Sequence, residues 1–77
     1  MDEGAKKILL EFGNNLRAER NRVNLSQDEL AEKAGLSHGQ VIGTIERGEV
    51  NTSLLTIVSI LKALNIEFDK LIDINKF

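Results

Sequence analysis

The stretch from Leu25 to Gly48, LSQDELAEKAGLSHGQVIGTIERG, constrains the fold more than any other part of the chain, because it carries start and stop signals for two short helices. Ser26 and Glu29 spell a capping box: the serine hydroxyl accepts from the amide of residue 29 while the glutamate side chain accepts from the amide of residue 26. Leu30, Ala31 and Ala34 follow at helical spacing. Gly35 stands where a chain leaving a helix needs a left-handed residue without a Cβ. Ser37 and Gln40 then repeat the capping signal, with Leu36 and Val41 placed as a hydrophobic staple across the new N-terminus. A second helix is therefore predicted from His38, with Ile42 and Ile45 on its apolar side and Gly48 as its stop.

Two helices joined by a short glycine-containing turn form a helix-turn-helix, the unit that lays its second helix in a DNA major groove. The rest of the chain reads as its support. Ile8, Leu9, Phe12 and Leu16 give a helix over residues 5–22 one apolar stripe, and Asn24 ends it. Ser53 caps a fourth helix carrying Leu54, Ile57, Val58, Ile60, Leu61 and Leu64, while Leu55 makes it apolar on more than one face. Asn65 stops that helix, and a short fifth one is predicted from about Glu67 to Ile72 with Phe68 and Leu71, followed by a tail holding Ile74 and Phe77. Leu30, Ala31, Val41 or Ile42, Ile45, Leu54, Ile57 and Leu64 are the residues expected to be buried.

Composition narrows the alternatives. Seventy-seven residues without cysteine make one domain, residues 1–77, whose stability rests on its own core with no disulfide or zinc site to help. Apolar residues at 42%, nearly all aliphatic, with no proline and little β-branched alternation, predict an all-α fold. No apolar run approaches the length of a membrane span, and Met1, Asp2 and Glu3 lack the basic start of a signal peptide, so a cytoplasmic protein is expected. The absence of any nucleophile–base pair, phosphate loop or metal-ligand spacing argues against an enzyme. No catalytic residue, metal, cofactor or small-molecule substrate is expected. The net charge of −2 opposes DNA binding, which ordinarily rests on a positive excess. Arg17, Arg20 and Arg22 nevertheless cluster at the end of the first helix, while Asp2, Glu67, Asp69 and Asp73 lie near the termini.

The run from Phe12 to Leu71 resembles the phage repressor and Cro-like helix-turn-helix family. The resemblance is carried by Leu16, Arg17 and Arg20; by Leu25, Ser26, Gln27, Glu29, Leu30 and Ala31; by Ile45 to Gly48; and by Ser53, Leu54, Thr56, Ile57, Ala63 and Leu64. It implies a five-helix lambda-repressor-like DNA-binding domain with the helix-turn-helix at about 26–47 and dimerisation helices at 53–74. The expected activity is sequence-specific transcriptional regulation by a homodimer on a palindromic operator. Length and the apolar start before Phe12 look similar to restriction-modification controller proteins and small phage-type repressors. One departure stands inside the unit: an extra residue between the turn and Ile45 leaves either Val41 or Ile42 as the inward residue.

By the resemblance, Gln27 bonds a DNA phosphate, Arg47 and Asn51 bracket a loop over the sugar-phosphate backbone, and Arg20 pairs inward with Glu46. Arg17 reads equally as a phosphate contact or a solvated side chain. His38, Gly39, Gln40, Gly43 and Thr44, together with Ser37, are the groove-facing set: Gln40 suits an adenine edge, Thr44 a thymine methyl or a phosphate, and His38 guanine or phosphate. Glu49 works against the backbone-binding role of its loop. The competing reading is a protein-binding module of the same fold, an antitoxin or adaptor that uses the acidic surface.

Overall fold

Three of the four helices begin on a side chain that satisfies their first amides. In the computed structural model, which describes residues 2–77, the order is α1 (Glu3–Arg22), α2 (Gln27–Lys33), α3 (Gly39–Glu46) and α4 (Leu54–Leu64). Two 3₁₀ turns, Phe68–Lys70 and Ile74–Lys76, complete the chain, and no strand occurs among the described residues. Asp2 accepts from the amide of Ala5 at 2.7 Å, so α1 starts at Glu3, ahead of the expected residue 5. Ser26 and Glu29 form the reciprocal capping box at 3.0 and 2.8 Å. Ser53 accepts from the amide of Thr56 at 3.2 Å.

The helix-ending turns are all alike. Asn24, Gly35, Gly48 and Asn65 have φ of 59, 73, 70 and 55°. The amide just beyond each reaches back five residues: Leu25 to the Arg20 carbonyl, Leu36 to Ala31, Glu49 to Thr44 and Ile66 to Leu61. This is the Schellman arrangement, which satisfies carbonyls that a helix end would otherwise leave open.

The core joins Phe12 and Leu16 of α1, Leu30 and Ala31 of α2, Ile42 and Ile45 of α3, Ile60 and Leu64 of α4, and Leu71 and Ile72 of the final segment. Helix α3 packs against both α1 and α2. On the α1 side the approach is close enough to need Gly13: a methyl there would overlap the carbonyls of Ile45 and Glu46. On the α2 side Gly39 lies against Asp28, whose backbone and carboxylate fill the space a Cβ would take. That contact decides where α3 begins. The Ser37–Gln40 capping box is not made; His38 is the N-cap in extended conformation with no side-chain bond, and Gly39 is the first helical residue.

Two further expectations are corrected. Leu54 is 74% exposed: it shares the stripe of Ile57, Leu61 and Leu64 but sits in the first turn of α4, beyond the end of the core, and Ile57 is half-buried. The expected fifth helix is a single 3₁₀ turn, so there are four α-helices among the described residues. The turn's bonds run from Lys70 to the Glu67 carbonyl and from Leu71 to Phe68, and the Leu71 carbonyl accepts from Asn15 Nδ2 of α1 at 2.9 Å, which ties the final segment to α1. Leu71 and Ile72 are thereby both buried, while Phe68 remains 42% exposed.

Gly13→Ala is expected to destabilise the fold by about 1–3 kcal/mol through overpacking. Gly4→Ala, on the exposed first turn of the same helix, is expected to be neutral or stabilising by up to about 1 kcal/mol. Urea denaturation of the two variants measures both signs.

Candidate nucleic-acid interface

The site is organised by one acidic side chain. Glu46, the last residue of α3, has a fully buried carboxylate that gathers donors from two other helices. Arg20 of α1 binds it with both prongs, Nε to Oε2 at 2.7 Å and Nη2 to Oε1 at 3.1 Å. Arg20 also donates from Nη1 to the Leu25 carbonyl at 2.8 Å, which fastens the α1–α2 connection to the same group. Gln27 Nε2, from the first turn of α2, reaches Oε1 at 3.2 Å, and Arg17 Nε reaches it at 3.4 Å. Three donors on one oxygen exceed its two lone pairs, so Arg17, the longest and 47% exposed, is the most easily released to another acceptor.

Burial pushes the Glu46 carboxyl up, but hydrogen bonds from Arg20, Gln27 and Arg17 outweigh that and hold it below the ordinary carboxylate range. The same bond from Arg20 raises the guanidinium's own value against the opposing effect of burial.

Beside this cluster, Gly43 forms the floor of a small polar shelf. A Cβ built on it would stand 3.2 Å from Arg47 Nη1 and 3.3 Å from Gln27 Oε1, so the guanidinium and the amide flank one point on α3. Arg47 Nε donates to Glu49 Oε2 at 2.9 Å, a pair with both side chains about half exposed. Spacing alone shows neither bond: the first depends on the turn at Gly48 folding Glu49 back onto Arg47, and the Gln27–Glu46 bond on the packing of α2 against α3.

The outward residues of the helix-turn-helix divide. Ser37, His38 and Gln40 are exposed around the start of α3. Thr44 is half-buried and donates its hydroxyl to the Val41 carbonyl at 2.8 Å, which leaves its methyl and an acceptor lone pair to present. Gly39 and Gly43 are buried, the first under Asp28 and the second under Gln27 and Arg47, and so do not face outward as expected. The ambiguity left by the extra residue is settled in favour of Ile42, which is fully buried; Val41 is half-buried at the edge of the core. Asn51 is exposed but stands apart from the shelf, beside Ile8 and Leu9 of α1.

A capped α2, a tight turn and an α3 whose polar residues lie between flanking Arg and Gln side chains define a helix-turn-helix unit. The chain belongs to the helix-turn-helix family, whose model matches residues 16–71. Among individual proteins, it is 48% identical over 67 residues to the control protein C.SmaI of Serratia marcescens, across 87% of this chain and 75% of that protein. It is also similar in fold to the restriction-modification controller protein C.AhdI from Aeromonas hydrophila, with a TM-score of 0.77 and 41% identity, covering 82% of this chain and 94% of that one.

Glu46→Gln is expected to cost about 3 kcal/mol, because the mostly buried Arg20 guanidinium loses its counter-charge. The native carboxyl titrates below its unfolded value of about 4.3, so its contribution is complete at neutral pH and disappears as pH falls through the acid range beneath that value. Melting curves against pH should therefore fall less steeply in the acid range for the variant than for the native chain.

Proposed function

We propose that this protein is a sequence-specific DNA-binding transcriptional regulator of the restriction-modification controller kind, acting as a homodimer on a palindromic operator. The observation that carries the reading is the arrangement around α3: exposed Ser37 and His38 just before it, Gln40 and Thr44 one turn apart on it, and the Gln27–Arg47 shelf beside them. Side chains with both donors and acceptors suit base edges in the major groove, whereas a guanidinium and an amide at the rim suit phosphate oxygens. The names of the relatives support the regulatory role.

Dimerisation is supported by the apolar surface that one copy leaves open. Leu54 and Leu55 on α4 are 74% and 79% exposed, and Val58, Ile74 and Phe77 add to them. In such a dimer two α3 helices stand about 34 Å apart, one turn of duplex, which calls for two inverted half-sites at that spacing. The net charge of −2 favours a second reading, in which the same fold holds a protein partner.

Gel-shift selection from a randomised duplex pool separates the two. At about 50 mM salt, where the electrostatic contribution is strong, the regulator is expected to enrich an inverted repeat. Failure to retard any duplex would transfer the case to the protein partner. On the enriched site, Gln40→Ala is expected to cost roughly 1–3 kcal/mol per half-site and relax preference at one base pair. Gln27→Ala is expected to weaken all sequences alike.

A further inference from the structure

The loop that leaves α3 holds a charge pair in the wrong place for simple phosphate binding. Arg47 is the C-cap of α3, Gly48 turns the chain at φ 70°, and the amide of Glu49 donates back to the Thr44 carbonyl at 3.0 Å. That bond fixes the Glu49 backbone against the helix end, so its carboxylate meets the Arg47 guanidinium as a consequence of how α3 stops. Arg47 Nε donates to Glu49 Oε2 at 2.9 Å while Nη1 of the same group stays over Gly43 beside Gln27. One guanidinium thus presents a free N–H edge to a ligand while its charge is already matched.

We propose that Glu49 is an affinity-limiting residue of the DNA interface: by pairing with Arg47 it keeps that arginine's hydrogen bonds available to a phosphate but removes most of its charge from the interaction. This rests on the DNA-binding reading above. An unpaired arginine at a phosphate displaces condensed counterions, and this sequence-independent contribution supplies nearly all non-specific binding. A paired one displaces few. Glu49 therefore lowers affinity for every duplex alike and flattens its dependence on salt, leaving base contacts from α3 to carry a larger share of the binding that remains. In a chain of net charge −2 the effect is large relative to the few cations at the site. The pair is half exposed on both sides, so the two side chains separate easily and their pairing adds little to stability.

The test is a two-residue cycle read by salt dependence. Binding of native protein, Glu49→Gln, Arg47→Ala and the double variant to the enriched duplex and to a scrambled one is measured between about 50 and 200 mM salt, with thermal melts to show that all four are folded. Glu49→Gln is expected to tighten both duplexes by about two- to fivefold and to steepen the logarithmic salt slope by about 0.9 per subunit. In the Arg47→Ala background the same change is expected to do neither. An unaltered slope in Glu49→Gln overturns the proposal, and so does a gain that persists in full without Arg47, since Glu49 would then act as an independent repulsive charge. The free protein supplies a separate readout: the Arg47 Nε–H resonance should move on Glu49→Gln, and its failure to move would show that the pair itself is not formed. Loss of binding by all four proteins while that resonance does move would instead strike the DNA reading and carry the proposal down with it.

Discussion

The buried carboxylate of Glu46 is the constraint on which the helix-turn-helix geometry depends. It is placed at the end of α3, where it draws Arg17 and Arg20 from α1 and Gln27 from α2 onto two oxygens. Burying an ion pair is a weak source of net stability, because both groups lose their water; breaking one is costly, because a lone charge stays behind. What such a pair supplies here is uniqueness of arrangement. An aliphatic core tolerates helices that slide or rotate by a fraction of a turn, whereas a two-pronged guanidinium–carboxylate contact accepts one relative placement of α1 and α3. The Arg20 bond to the Leu25 carbonyl extends that placement to the start of α2.

The packing of α3 agrees with this demand at both of its ends. Gly13 lets the carbonyls of Ile45 and Glu46 lie directly on α1, which brings Glu46 within reach of the arginines one and two turns further along that helix. Gly39 lets the other end of α3 rest on Asp28 in the first turn of α2. Seated at both ends, with Ile42 and Ile45 directed inward, the helix has little freedom to roll, and the polar residues between its ends are held at one angle. The exposed side of α3 is therefore set in one orientation although the helix is eight residues long and has no side-chain cap.

Much of this was legible in the sequence because helix ends are local events. The Ser26–Glu29 box, the Ser53 cap and all four left-handed stops were readable from a few adjacent residues, as was the apolar stripe of α1 through Phe12 and Leu16. What escaped depends on contacts between distant elements. Spacing cannot tell that α2 lies against Gly39 or that the Arg47 and Gln27 side chains cover Gly43, so both looked like outward positions of a weak helix. Leu54 fits the stripe of α4 perfectly well and is exposed because the core ends before it. The segment after Asn65 has helical composition, yet it closes on short-range bonds from Lys70 to Glu67 and from Leu71 to Phe68 and stays a single 3₁₀ turn, with Asn15 of α1 bonded to the Leu71 carbonyl beyond it. The resemblance pointed to Arg20 and Glu46 as partners; that Gln27 and Arg17 share the same carboxylate required coordinates.

In the function proposed above, nucleic acid sits on the surface built from α3 and the Gln27–Arg47 shelf, and the exposed side of α4 is left for a second copy. Amide chemical-shift mapping of the ¹⁵N-labelled protein titrated with its enriched duplex tests this most directly. The largest changes should fall on residues 27, 37–44 and 47, with the amides of Leu54, Leu55, Ile74 and Phe77 unmoved by DNA and sensitive instead to protein concentration. Changes centred on α4 and the final segment, with α3 unaffected, would contradict it.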